Sequence, residues 1–98
     1  MPAYLVSIVD VKNPERYVEY AMAANEAVAA HGGRFLLRGV PLEVLEGIAP
    51  GNRIVVSEWE SAEQARTYYR SAEYAKAKAK RQGGVAEAAI LLFEGLPP

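Results

Sequence analysis

Five side chains carry most of the chemistry legible in this sequence: Arg38, Glu58, His31, Tyr69 and Tyr74. Arg38 offers a planar guanidinium that can grip a small carboxylate through two parallel hydrogen bonds, or pair with an acid of its own chain or of a second copy. Glu58 ends an apolar alternation with Ile54 and Val56. Beside an arginine it stays ionised and structural; desolvated and unpaired, it is the strongest candidate for an acid or base. His31 closes a helical stretch, where the negative helix end favours a protonated imidazole by about 0.3–1 kcal/mol. A general-base role for it needs a substrate within reach. Tyr69 and Tyr74 are core or interface aromatics, or they roof a pocket and donate a hydroxyl to a ligand that Arg38 holds. Lys76, Lys78 and Lys80 read as a solvated helix end.

Familiar catalytic signatures are missing: the sequence has no nucleophile elbow, phosphate loop, dinucleotide fingerprint or HExxH motif. No cysteine is present, so thiolate nucleophiles, disulfides and zinc–cysteine sites are excluded, and a single histidine excludes an all-histidine metal site within one chain. No cofactor and no metal are therefore expected. A net charge of −1 supplies no global positive field, so nucleic acid is not an expected partner. No apolar run approaches the ~20 residues that span a bilayer. The start MPAYLVSIVDV lacks the basic and small-residue signals of a leader. No membrane contact and a cytoplasmic location are expected.

The elements that position these groups follow from periodicity and punctuation. AYLVSIVDV (3–11) is apolar on both alternations, a strand buried on two sides. Asn13, Pro14 and Glu15 start a helix whose apolar positions Tyr17, Tyr20, Ala21, Ala24 and Val28 recur at three-to-four spacing. Gly32 and Gly33 stop it, which predicts helix over about 14–31. HGGRFLLRG continues into a second strand, where simple alternation puts Arg34, Leu36 and Arg38 on one face and Phe35 and Leu37 on the other. Arg34 lies nearer the strand start and is expected to be wet. After a bend at Val40–Pro41, LEVLEG, the turn IAPGN and the strand NRIVVSEWE predict a hairpin over 42–59. In it Glu46 faces Arg53 as a cross-strand ion pair worth ~0.2–1 kcal/mol. Ser61 and Gln64 form a capping box that starts a helix near 62, with a break near 70 or 71 where Ser71 caps a second segment. AEAAILLFEG (86–95) is the last strand, again apolar on both alternations.

At 98 residues the chain has room for one domain. Strand, helix, hairpin, helix, strand is the order of a ferredoxin-like split β-α-β sandwich: an α+β fold with a four-stranded antiparallel sheet and helices on one face. Helices cover only one face, yet three strands are apolar on both. The second face, a footprint of roughly 300 Å² from strand spacing and length, rivals the largest apolar patch of a typical monomer. A second copy of the same sheet covers it by two-fold self-complementarity, which predicts a sheet-to-sheet homodimer. The alternative is a strongly curled sheet wrapped over the 70s helix.

GGRFLLRG (32–39), LEVLEG (42–47), RIVVSEWES (53–61), AEQARTYYRSAEY (62–74), KAKAKRQ (76–82) and a final strand ending FEG (93–95) together resemble domain-of-unknown-function family 1330 over nearly the whole chain. The resemblance implies a ferredoxin-like fold of the dimeric α/β-barrel group and no reaction. Matching motif positions are Arg38, Gly39, Glu46, Gly47, Arg53, Glu58, Tyr69, Ser71, Tyr74 and Arg81, and it is this match that adds Arg81 to the candidates. Two residues depart from the family pattern. Val40–Pro41 stands where another glycine is more frequent, and Trp59 where phenylalanine is usual. The reading that emerges is a small dimeric domain binding a small organic acid in a pocket by the sheet. Arg38 would be its anchor and Glu58, Tyr69, Tyr74 and Arg81 its polar neighbours, with catalysis left open. A purely non-catalytic assembly or regulatory module is the alternative.

Overall fold

The computed structural model describes residues 1–95. Along it run β1 (Ala3–Val11), α1 (Pro14–Ala30), β2 (Arg34–Gly39), β3 (Arg53–Trp59), α2 (Ala62–Tyr69), α3 (Ala72–Arg81) and β4 (Ala86–Glu94). The strands form one antiparallel sheet in the order β2-β3-β1-β4. Each helical connection therefore joins two parallel strands across an antiparallel neighbour, β1 to β2 across β3 and β3 to β4 across β1. This is the ferredoxin-like α+β arrangement.

Helix ends form where the capping residues place them. The Asn13 side chain accepts from the Arg16 backbone N–H at 3.2 Å, with Pro14 at the first helical position. Ser61 Oγ accepts from Gln64 N–H at 3.1 Å, and Ser71 Oγ from Tyr74 N–H at 3.1 Å, so the expected break between α2 and α3 falls at Arg70–Ser71. Gln64 also reaches sideways: its amide donates to the His31 carbonyl at 2.9 Å, satisfying an orphan acceptor at the end of α1. The two glycines after α1 do different jobs. Gly32 has φ +81°, the left-handed stop, whereas a Cβ on Gly33 would lie 2.5 Å from the Trp59 ring. Gly33 is there for space.

The helix-side face of the sheet presents Ala3, Leu5 and Val9 of β1 and Ser57 and Trp59 of β3, and these are buried. The Cα extents, 35 × 34 × 16 Å, are those of a slab with one sheet layer and one helix layer. The opposite face is left open. Tyr4, Val6, Ile8 and Val56 are half-buried there, and Leu91 and Phe93 are exposed. No helix among the described residues is long and apolar enough to cross a membrane.

Two local expectations fail. Residues 42–47 form no strand, so the predicted 42–59 hairpin is replaced by a long irregular connection over 40–52, with β2 itself pairing to β3. Gly39 (φ +151°) and Pro41 turn the chain out of the sheet, and Leu42, Leu45 and Ile48 then stand almost fully exposed. Glu46 consequently does not face Arg53, whose sheet neighbour is Val9 of β1. The second failure is the face assignment of β2. Arg34 is opposite Glu58 and Phe35 opposite Ser57, but Leu37 is opposite Val56 and Arg38 opposite Val55, a β-bulge at Leu36. One extra residue inverts the alternation, so Arg34 and Leu37 share the open face while Phe35 and Arg38 share the helix face.

Candidate functional site

Helix α1 turns Tyr17, Tyr20, Ala21 and Ala24 toward the sheet, and it packs chiefly along α3, while α2 lies on β1, β3 and β4. The two alanines are too small to fill the gap beneath α1. A cavity of about 50 Å³ remains, floored by Leu5, Ser7, Val9, Val55 and Ser57 and walled by Tyr17, Tyr20, Tyr68 and Tyr74. Such a volume holds about three to five water-sized groups.

Arg53 opens this cavity to charge. It begins β3, and the residue before it is clamped: Asn52 Oδ1 accepts from the Val11 backbone N–H at 2.8 Å and its amide donates to the Val11 carbonyl at 3.0 Å. The Arg53 guanidinium lies 5.4 Å from the Tyr17 ring centroid, and the Arg81 guanidinium, from the end of α3, lies 5.7 Å from that of Tyr20. The Tyr20 and Tyr74 hydroxyls meet at 3.0 Å between α1 and α3. The result is an aromatic cluster flanked by two cations, with contacts of the cation–π kind. Neither arginine has a carboxylate within 4.0 Å among the described residues, and the Nε of each is buried with no hydrogen-bond partner there.

Three of the surrounding phenols, Tyr17, Tyr20 and Tyr68, are held protonated. Burial pushes the Tyr20 and Tyr68 hydroxyls well above the ordinary tyrosine value, with the neighbouring Tyr74 adding to both. Burial raises Tyr17 too, against the pull of Arg53 and Arg81. For Arg81, desolvation works against the charge, but the adjacent Tyr74 and Tyr20 oxygens outweigh it and its pKa is raised. Cationic and neutral-donor groups therefore surround the cavity, a setting that attracts an anion.

Of the residues singled out from sequence, Tyr74 lines this cavity and Arg81 stands behind its wall. Tyr69 stacks on Tyr74 at 5.1 Å and faces a neighbouring hollow of about 150 Å³. Arg38 is on the helix face but exposed at the sheet edge, its guanidinium 4.4 Å from the Phe35 ring centroid. Glu58 is on the open face, where one carboxylate oxygen receives Arg34 Nε at 2.7 Å and Nη2 at 2.5 Å. Arg38 and Glu58 are thus on opposite faces, and Arg34, exposed as expected, is the arginine that holds the acid. His31 Nε2 lies 3.0 Å from Glu73 across the ends of α1 and α3, and this bond draws the Glu73 carboxyl below its usual range. Neither His31 nor Glu58 reaches the cavity. Sequence reasoning missed Arg53, Tyr17 and Tyr20 as site residues. The signal was a helix face of paired tyrosines and alanines, which cannot both reach the sheet and fill the space above it.

The class this defines is a ferredoxin-like α+β domain with a small arginine- and tyrosine-flanked cavity between helices and sheet. The chain belongs to the family described as Domain of unknown function (DUF1330), whose model matches residues 2–96. No curated protein matches it. Among solved structures, a protein of unknown function from Rhodopseudomonas palustris is similar at TM-score 0.78 and 18% identity, covering 99% of this chain and 84% of that one. SnoaB, a cofactor-independent oxygenase from Streptomyces nogalater, is similar at TM-score 0.72 and 11% identity, covering 99% and 95%. A dimeric ferredoxin-like protein of unknown function from Thermobifida fusca is similar at TM-score 0.66 and 17% identity, covering 95% and 90%. At these identities the likeness is one of fold.

Proposed function

We propose that this protein is a homodimeric binding domain that takes a small organic acid into the cavity between α1 and the sheet, with Arg53 as the anchor and Arg81 and the phenols of Tyr17 and Tyr20 as its polar surroundings. The observation that carries this reading is the Arg53 Nε–H, buried and without a hydrogen-bond partner among the described residues, on a side chain that lines the cavity beside Tyr17. An unmade buried hydrogen bond costs about 1–3 kcal/mol, and a carboxylate is the group that matches a guanidinium. The cavity walls hold phenols, serines and an arginine but no carboxylate or imidazole, so they favour binding over proton abstraction. SnoaB is an oxygenase on this fold, and fold alone does not transfer a reaction. The homodimer rests on the open apolar face and on the dimeric neighbour from Thermobifida fusca.

Thermal unfolding with a panel of small carboxylates tests this reading. A ligand at a hundred times its Kd stabilises by about 2.7 kcal/mol, a rise in Tm of many degrees for a domain of this size. Arg53→Met is expected to remove the shift while circular dichroism stays native. If no carboxylate moves the wild-type transition, the arginines only stack on tyrosines, and the domain is an assembly module.

A further inference from the structure

The cavity beneath α1 and the hollow beside α2 share walls. Leu5 and Ile90 line both, and the Tyr69–Tyr74 stack stands between them, Tyr74 facing the first and Tyr69 the second. The second space, about 150 Å³, is the larger, and its remaining lining is Ala65, Leu92 and the side chains of Arg66 and Arg70. Arg66 is occupied by Glu63 at 3.5 Å and half-exposed, so its methylenes line the hollow while its charge stays at the surface. Along β1 the path from Arg53, opposite Val9, to Leu92, opposite Leu5, covers four residues, a run of ~13 Å floored by Val9, Ser7 and Leu5.

Resting on the carboxylate reading above, we infer that the ligand is amphiphilic: a carboxylate head at Arg53 with an unbranched apolar tail running past Leu5 and Ile90 into the hollow under Tyr69. The inner cavity accommodates a head and one or two carbons, and anything longer must enter the second space. The two arginines that line the hollow, Arg66 and Arg70, are exposed, and the rest of its lining is apolar or aromatic, which selects a monocarboxylate of medium chain length.

The test is a calorimetric titration of the intact protein with acetate, butyrate, hexanoate and octanoate. Wild-type affinity is expected to rise roughly fourfold per added methylene. Leu92→Trp, at a partly exposed edge-strand position that lines only the second hollow, fills that space and is expected to flatten the series beyond butyrate. Arg53→Met is expected to weaken the whole series. Affinity independent of length in the wild type overturns the tail assignment and leaves the carboxylate site standing. An unaltered slope in Leu92→Trp overturns it as well, since the tails then lie elsewhere. Absence of binding at every length overturns both readings.

Discussion

The arginines show how local geometry assigns roles that residue type leaves open. Arg34 and Arg38 are four positions apart on one strand, and the bulge at Leu36 sends them to opposite faces. Arg34 takes Glu58 on the open face, and Arg38 lies on Phe35. Glu58→Gln is expected to cost no more than ~1 kcal/mol in a urea melt, because the Arg34 side chain is 73% exposed, and to leave carboxylate binding unaltered. The buried phenols give a pH dependence. Tyr20 has a pKa raised above its ordinary value of 10.0, so its neutral form is favoured by folding. That contribution is complete below about pH 10 and is lost as pH rises beyond it, since the unfolded chain then releases a proton the folded chain keeps. Phenolate absorbance should show Tyr17, Tyr20 and Tyr68 ionising only with loss of circular dichroism, and stepwise titration of all three in the folded state would contradict this. Tyr20→Phe, which strips Tyr74 of its hydroxyl partner, is expected to cost about 0.5–1.5 kcal/mol.

At the scale of elements, packing between neighbours decides what the cavity looks like. Its roof is α1, and the join between α1 and β2 is fixed by Gly33 beneath the Trp59 indole, which itself lies 4.7 Å from Tyr68 and donates to Ser57 Oγ at 2.9 Å. Gly33→Ala puts a methyl into that ring. It is expected to destabilise by about 1–3 kcal/mol, as overpacking does, and to quench or shift the fluorescence of the single tryptophan. Gly33 and Gly32 look identical in the sequence, where both read as a helix stop, and only the approach of Trp59 separates them. The hairpin expected over 42–59 fails for a similar reason. LEVLEG has strand composition, but Gly39 and Pro41 turn it out of the sheet, and the place beside β3 that a hairpin would give it is already taken by β2.

At the scale of the molecule, one layer of helices covers one face of the sheet, and the other face with the 40–52 connection retains large apolar side chains in contact with water. In the proposed homodimer, two such faces meet. Light scattering at micromolar concentration is expected to give twice the monomer mass of 10.7 kDa. Val56→Glu, central on that face, should return it to the monomer while sparing the helix-side cavity. A wild-type monomer would sink the sheet-to-sheet arrangement and leave the carboxylate site to be judged on its own titrations.

Outside 42–47, the order of helices and strands is legible in the sequence, as are the N-caps Asn13, Ser61 and Ser71 and the two-sided apolar character of three strands, because these depend on side chains close together along the chain. From them the ferredoxin-like topology follows with few alternatives. The faces of β2, the separate duties of Gly32 and Gly33, and the gathering of Arg53 and Arg81 around Tyr17 and Tyr20 were decided only by the tertiary structure. Each depends on a distance between residues far apart in sequence: one inserted residue at a bulge, one indole over a glycine, and a helix whose alanines are too small to close the gap to the sheet. Such distances are set when layers pack, and no local pattern encodes them.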